Sequence, residues 1–431
     1  MNDASAQQSN TTAKHTGRAP TWATAARATI ALAAATLAAG LTAAPAHAAG
    51  TVPCDAAALT TAIKTANANT GGTITLTPGC TYTYTQPATA GGDTALPAIT
   101  TPITLNGNGA TIRRDPNAPL FRLLDIADHG TLNLNLATLA GGHTTGAGAG
   151  AAGGAILVEN GGTLRGTLLA ITDNTADNGG GIYNNGALTL TQSRLQNNQA
   201  SSGGALLQAA GTSTINTTVI SENTAAVLAG GIAQYGGSMA LALSRIENNH
   251  ASASGGGLVV RSATTVSTTV ISGNTASFGG GVLHDTGPMM TITASTITDN
   301  SADAERADRS IGGGILNGAP LTVTASTING NRTPHGNGAG IGNYAATLNL
   351  NATRITGNTA GGRTGGLYIN GGTVSLSLSS ITDNTSTTGP AGVFAASLYT
   401  PAAIHNTFSV IKNNNPTNCQ ASTIPIPNCT N

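Results

Sequence analysis

Charge is what this 431-residue chain most conspicuously lacks. Its 17 Lys and Arg and 17 Asp and Glu make up 8% of the residues and cancel to a formal net charge of zero, where an ordinary soluble domain carries roughly 25%. Without a basic stripe the chain does not suit nucleic acid. Aromatic residues are scarce too, at 3%. Cysteine is confined to Cys54, Cys80, Cys419 and Cys429; no CxxC spacing or neighbouring His pair accompanies them, which argues against a zinc site. No repeat carries an apolar stripe of 3.6-residue period, which excludes a helical solenoid. Disorder goes with low hydrophobicity and high net charge, and here apolar residues recur at regular places in a neutral chain.

The N-terminus reads as a targeting segment. Lys14, Arg18 and Arg27 precede an apolar run from Thr29 to Ala44, and Ala46-His47-Ala48 follows. A basic region, a short apolar core and small residues at the −3 and −1 positions make a secretory signal over residues 1–48. The run is too short and too rich in Ala and Thr to span a bilayer comfortably, and no second one follows. The mature chain is therefore expected to be secreted and extracellular, with no membrane span. In an oxidising compartment its cysteines should pair. Of the three pairings open to them, Cys54–Cys80 and Cys419–Cys429 are favoured, because each would clamp one end of the mature chain.

What is present is a repeat. The phrase Ile/Leu-x-x-Asn, a short gap, then Gly-Gly-x-aliphatic recurs with its asparagines at Asn174, Asn198, Asn223, Asn249, Asn274, Asn300, Asn331, Asn358, Asn384 and Asn414. Between them lie period-two apolar stretches such as Leu188-Thr189-Leu190-Thr191, the signature of strands. One such unit cannot bury its own apolar face, and stacking does so. About 25 residues suits a triangular coil of three short strands, and ten coils at the strand spacing give a rod of at least about 45 Å. The chain is expected to be all-β, a right-handed parallel β-helix, with the asparagines as a structural ladder bonding between turns. Asp55 to Ala68 reads as an amphipathic capping helix with Asp55 as N-cap and Leu59, Ala62, Ile63 and Ala66 on one face. The organisation follows as 49–150, cap and first coils; 151–415, repetitive β-helix; and 416–431, a disulfide-closed tail.

At these residues the chain resembles known families. Cys54 to Tyr84, Pro102-Ile103-Thr104-Leu105-Asn106-Gly107 and Ala110-Thr111-Ile112 look like the N-terminal part of pectin-lyase-like β-helix proteins. Gly153-Gly154-Ala155-Ile156, Gly203-Gly204-Ala205-Leu206 and the Ile-x-x-Asn phrases resemble the repeats of polymorphic outer membrane proteins, although Ile or Leu stands here where that repeat has Phe and no membrane-barrel sequence follows. The first resemblance implies a fold shared by polysaccharide lyases, hydrolases and members without evident catalysis. The motifs of its best-known enzymes are missing. No coil has the Asp-x-Asp group that would gather oxygens for calcium, and the Asn-x-Asp, Asp-Asp, Gly-His-Gly and Arg-Ile-Lys phrases of polygalacturonases are absent.

Three weaker constellations remain. Acidic residues precede the ladder asparagine at Asp173, Glu222, Asp299 and Asp383. Asp173 and Glu222 would lie two coils apart, about 9.6 Å, near the upper end of the inverting-glycosidase range; a plain turn also takes Asp readily. The loop 302–309 (ADAERADR) is the one dense charge cluster. Third, two adjacent columns of the glycine-led strands are apolar: Ile182, Leu206, Ile232, Leu258 and Val282, and beside them Leu157, Tyr183, Leu207, Val259, Leu283, Leu316, Tyr368 and Phe394. Alternation should turn one of these outward, unless bending or a covering segment hides it. Tyr235, Arg261 and His284-Asp285 follow at the strand ends.

The expected function is binding of extracellular or cell-wall polysaccharide by a monomer, through Tyr183, Tyr235, Arg261 and Tyr368, with no cofactor and no metal. The alternatives are a polysaccharide lyase or glycoside hydrolase using His284, Asp285 and Arg261, and a structural or adhesin-like surface rod. Mass spectrometry of the secreted protein is expected to place its N-terminus at Ala49; a chain still beginning at Met1, or held in the cytoplasm, refutes the signal.

Overall fold

Residues 182–202 show how one repeat closes into a coil. Ile182–Asn184 is a three-residue strand; Asn185 and Gly186 turn the chain into Ala187–Thr191; a corner at Gln192 leads into Arg194–Gln196; and beyond Asn197 and Asn198 the strand Gln199–Ser202 returns to the next glycines. Every strand pairs in parallel with its counterparts on neighbouring coils. The computed structural model, which describes residues 50–146, 151–304, 311–398 and 400–431, is thus a parallel β-solenoid of about 12 turns. The expected signal segment and part of the loop 302–309 lie outside the described residues. No helix among the described residues is long and apolar enough to cross a membrane.

The coils stack into three sheets: one of 11 strands like Ile182–Asn184, one of 8 like Gln199–Ser202, and one of 24 that takes both middle strands. A full repeat therefore has four strands where three were expected. The extra break falls at a left-handed corner. Leu168, Gln192, Thr217, Leu243, Thr268, Ala294, Ala325, Ala352, Leu378 and Phe408 all occupy it, with φ between 47° and 56°. Non-glycine residues adopt this conformation only where surrounding bonds hold them there.

Those bonds come from a second ladder that the sequence reading passed over. After the first corner stands Leu169, and after the other nine stand Ser193, Thr218, Ser244, Thr269, Ser295, Ser326, Thr353, Ser379 and Ser409, all buried. From Ser193 to Ser379 each hydroxyl donates to the carbonyl two residues back, as Ser244 Oγ does to Ala242 at 2.7 Å. Except at Thr353, whose hydroxyl reaches Val323 O instead, the hydroxyl also accepts a backbone N–H from the preceding coil, as Ser295 Oγ does from Thr269 at 3.2 Å.

The asparagine column is the stronger ladder. From Asn174 to Asn414 each Nδ2 donates to the Oδ1 of the next at 2.9–3.0 Å. The same Oδ1 accepts the backbone N–H of the residue below, and Nδ2 reaches a carbonyl one coil back, as Asn249 does to Ile220 at 2.9 Å. Both ends are closed: Gly142 N–H donates to Asn174 Oδ1, and Asn414 donates to Asn418 Oδ1. The turn that presents each asparagine is left-handed at the residue before it, whether Asp173, Asn197, Glu222, Asn248, Gly273 or Asp299. The acidic positions are thus one turn site shared with Asn and Gly. Asp173 accepts from the Thr172 hydroxyl at 2.8 Å and Glu222 from Gln196 at 2.8 Å.

The N-terminal end is plugged by the helix Ala56–Ala68. Asp55 accepts from Ala58 N–H at 2.7 Å, and Leu59, Ile63 and Ala66 are buried against the first coils. Asn67 stitches the helix end to the chain, donating to Ala98 O at 2.8 Å and accepting from Thr100 N–H at 3.1 Å. Disulfides join Cys54 to Cys80, with Cα atoms 5.5 Å apart, and Cys419 to Cys429, at 6.4 Å.

Asn249 lies mid-column, fully buried. Asn249→Leu strands the Asn223 N–H and the Ile220 carbonyl, so the variant is expected to lose about 3 kcal/mol or more of unfolding free energy. A loss below about 0.5 kcal/mol in denaturant titration, the level of an ordinary surface site, would mean that the column is not a stabilising ladder.

Candidate functional face

The glycine-led strands of the eleven-stranded sheet are only three or four residues long, so alternation assigns their faces. First positions (Ile182, Leu206, Ile232, Leu258 and Val282) lie in the main core. Second positions point away from it: Leu207, Ala233, Val259 and Leu283 form a separate cluster, against which Tyr183, Tyr235 and Leu316 pack half-buried. That outward column is roofed by the turn leading into each strand, through Leu228 and Ala229 among others. The roof sits so close that a Cβ on Gly255, itself at φ +66°, would collide with Val259. Most of the stripe is therefore covered, and it opens in two places.

Toward the N-terminal end, Tyr183 lines an open pocket of about 550 Å³ with Asp128, Leu157, Glu159, Asn160 and Asn185. Farther along, Gly318 stands in the column between Asp285 and Tyr344. The missing side chain leaves an open pocket of about 380 Å³, floored by Leu283 and Leu316 and walled by Phe278 and Tyr344. Beyond it, Tyr368 is only 6% exposed. Its ring packs between Tyr344 and Phe394, with centroids 6.0 and 5.6 Å away, and Arg363 covers Phe394 at 5.0 Å. Tyr368 thus belongs to a packed stack and is not free for a ligand as expected.

At the fourth position, register places Tyr235, Arg261 and Asp285 on successive coils. Arg261 lies over the Tyr235 ring, 5.1 Å from its centroid. It grips Asp285 by Nε at 3.0 Å to Oδ1 and Nη2 at 2.8 Å to Oδ2. This bond raises the Arg261 pKa further and leaves the guanidinium occupied.

His284 requires a correction to its expected place on this face. It is the third residue of its strand, so it points inward with Gln234, Asn317 and Asn343, fully buried. Asn317 gives its Nδ2 to Asn343 Oδ1 at 2.8 Å, so its Oδ1 meets His284 Nδ1 at 3.3 Å, and that nitrogen is the donor. Burial lowers the His284 pKa. An imidazole enclosed in this way is a neutral member of a polar column, turned away from Asp285 and from any ligand on the outer surface.

Asp125, unremarked in the sequence, heads the outward column beside Leu157. Burial first, then Glu159, push its carboxyl up to about 6, against the opposing charge of Arg122. Arg122 itself pairs with Asp93 at 2.9 Å. Among the described residues no group of three or more His, Cys, Asp or Glu is arranged to hold a metal.

No protein-family model matches the chain, and no curated protein matches it in sequence. Among solved structures it is similar to the A-module of the mannuronan C-5 epimerase AlgE6 of Azotobacter vinelandii. That match has 14% identity and a TM-score of 0.45, covering 83% of this chain and 94% of that one. It is also similar to PfbA, a surface adhesin of Streptococcus pneumoniae, at 11% identity and a TM-score of 0.34, covering 84% and 90%. Likenesses this distant carry no correspondence between individual site residues.

The Asp125 carboxyl ionises near 6 in the folded chain but at about 3.9 when unfolded. Between those values the fold keeps a proton that the unfolded chain has lost. Stability therefore falls as pH rises through the window and stays lower above it. Asp125→Asn is expected to raise the unfolding free energy by about 2 kcal/mol at pH 7, allowing for partial solvent screening, and by no more than about 0.5 kcal/mol at pH 4. An equal gain at both pH values would show that ionisation of this carboxyl carries no penalty.

Proposed function

We propose that this chain is an extracytoplasmic β-helix that binds polysaccharide along its eleven-stranded face. The observation that carries the reading is the pair of open pockets, around Tyr183 and around Gly318 and Tyr344, joined by the edge Tyr235–Arg261–Asp285. Aromatic rings beside apolar floors suit the C–H faces of sugars, and the polar edge suits their hydroxyls. A polymer repeats along its length as the coils do. The two disulfides support a location outside the cytoplasm. Because Asp285 already holds Arg261, this edge favours hydroxyl-rich sugar rings over a carboxylate competing for the guanidinium.

The catalytic reading would need a base within about 3 Å of the sugar proton it removes. His284 is enclosed, so on this face that reading lacks its expected base. The structural-rod reading draws on the roof over the stripe and becomes the better one if no glycan binds.

The test is a screen of extracellular and cell-wall polysaccharides by affinity electrophoresis and calorimetry. Ultraviolet absorbance reports unsaturated products, and a reducing-end assay reports hydrolysis. A bound glycan with no product is expected, weakened about tenfold by Tyr235→Ala, the loss of one ring contact worth roughly 1.4 kcal/mol. Turnover would favour the enzyme; indifference to both Tyr235→Ala and Arg261→Ala would remove this face from the account.

A further inference from the structure

A second cluster lies at another corner of the solenoid, where the long strand Pro102–Arg114 ends. Arg113, Arg114, Gly142, His143 and Asp173 line an open pocket of about 440 Å³. Arg114 is 7% exposed and is clamped by backbone. Its Nε donates to Gly141 O at 2.9 Å, and its Nη1 donates to Ala118 O at 2.7 Å, to Asp115 O at 3.0 Å and, longer, to Pro119 O at 3.4 Å. The Phe121 ring packs against the guanidinium, its centroid 5.9 Å from Cζ.

Among the described residues no carboxylate pairs with Arg114, and its Nη2 makes no hydrogen bond. Asp115 acts on this guanidinium only at a distance; a guanidinium taken out of water without a paired carboxylate is unfavourable, and carbonyl oxygens offset only part of that cost. The side chain of Arg113, half-buried on the same rim, likewise makes no ion pair or hydrogen bond among the described residues. The lining sets these two cations against a single carboxylate, Asp173, which accepts from the Thr172 hydroxyl, while the Asp115 and Asp177 carboxylates act on Arg114 and His143 from outside the lining. Burial and then the charge of Arg114 lower the His143 pKa, against Asp177, so the ring is neutral at pH 7.

We infer that this corner is a binding site for an anionic oxygen group carried on a glycan, a carboxylate or a sulfate ester, with the Arg113 guanidinium and Arg114 Nη2 as its donors. Arg114 is already immobilised, so ordering it on binding adds little entropic cost. Guanidinium groups match the oxygen spacing of both anions. The contrast with Arg261 is direct: there a carboxylate fills the fork, and here carbonyls hold Nε and Nη1 of Arg114 while its Nη2 is left for a ligand. The site is separate from the face proposed above, and each can fail alone.

Three probes separate the outcomes by calorimetry on the mature chain: a glucuronate oligosaccharide, a sulfated oligosaccharide of neutral sugars, and its unsulfated parent. At least one anionic probe is expected to bind at low salt, and which one does identifies the anion. Arg113→Gln should weaken that binding at least tenfold with an unchanged melting temperature, since the side chain has no protein partner to lose. Tyr235→Ala should leave it unaffected. The inference is overturned if neither anionic probe binds, if the neutral parent binds as well when the other face is disabled by Tyr235→Ala, or if Arg113→Gln makes no difference.

Discussion

The amide-to-amide bond between successive asparagines is the interaction on which the coil depends. A turn of about 25 residues must bring its chain back above its own start, and the tightest corner is where backbone groups face inward with no strand to pair with. A buried N–H or carbonyl left there costs about as much as a lost hydrogen bond. The side chain of Asn supplies both a donor and an acceptor, and each ladder amide uses both: Asn249 accepts from Asn223 and donates to Asn274 and Ile220. The left-handed residue ahead of it, the glycine-led strand and the direction of the next side chains all follow from holding that corner closed.

The second corner solves the same problem with weaker chemistry. Ser and Thr hydroxyls bond one coil to the next, and the residue before them bears the backbone strain. Side chains there point into water even when they are apolar: Leu243, Leu378 and Phe408 are 57%, 66% and 83% exposed. Isolated apolar side chains at a surface are ordinary, and this column is interrupted by Gln192, Thr217 and Thr268. Function is therefore better sought where the columns leave gaps, as at Gly318, or where charge is left without a partner, as at Arg113.

Much of the architecture was legible because the ladder residue is chemically singular: an Asn recurring after an Ile or Leu marks each coil, whatever the loops between. The hydroxyl ladder holds an equally regular place, five residues before each Asn from Asn198 onward, yet Ser and Thr are so common in this chain that a column of them does not stand out. Faces were harder to read than periods. In Val282-Leu283-His284 there are too few residues for alternation to declare itself, so the polar end of the strand read as outward when His284 turns in. Burial of the outward column came from the preceding turn, a contact that a count along one strand does not contain. The Arg114 pocket was beyond reach for another reason. It joins residues from the first coils, where Arg114 and Gly141 are 27 apart and Gly142 and Asn174 are 32 apart, and no shared phrase marks those separations.

The ladder also has a direction. Each coil passes one amide donor forward and receives one from behind, so a whole coil carries as many donors as acceptors and leaves its neighbours' bonding unchanged. Gain or loss of one complete repeat, as by unequal recombination within the gene, would preserve every rung and both caps. Gain or loss of part of a repeat would break the register of every column at once. Length is thus the property of this molecule that can drift most freely across generations, in steps of one rung.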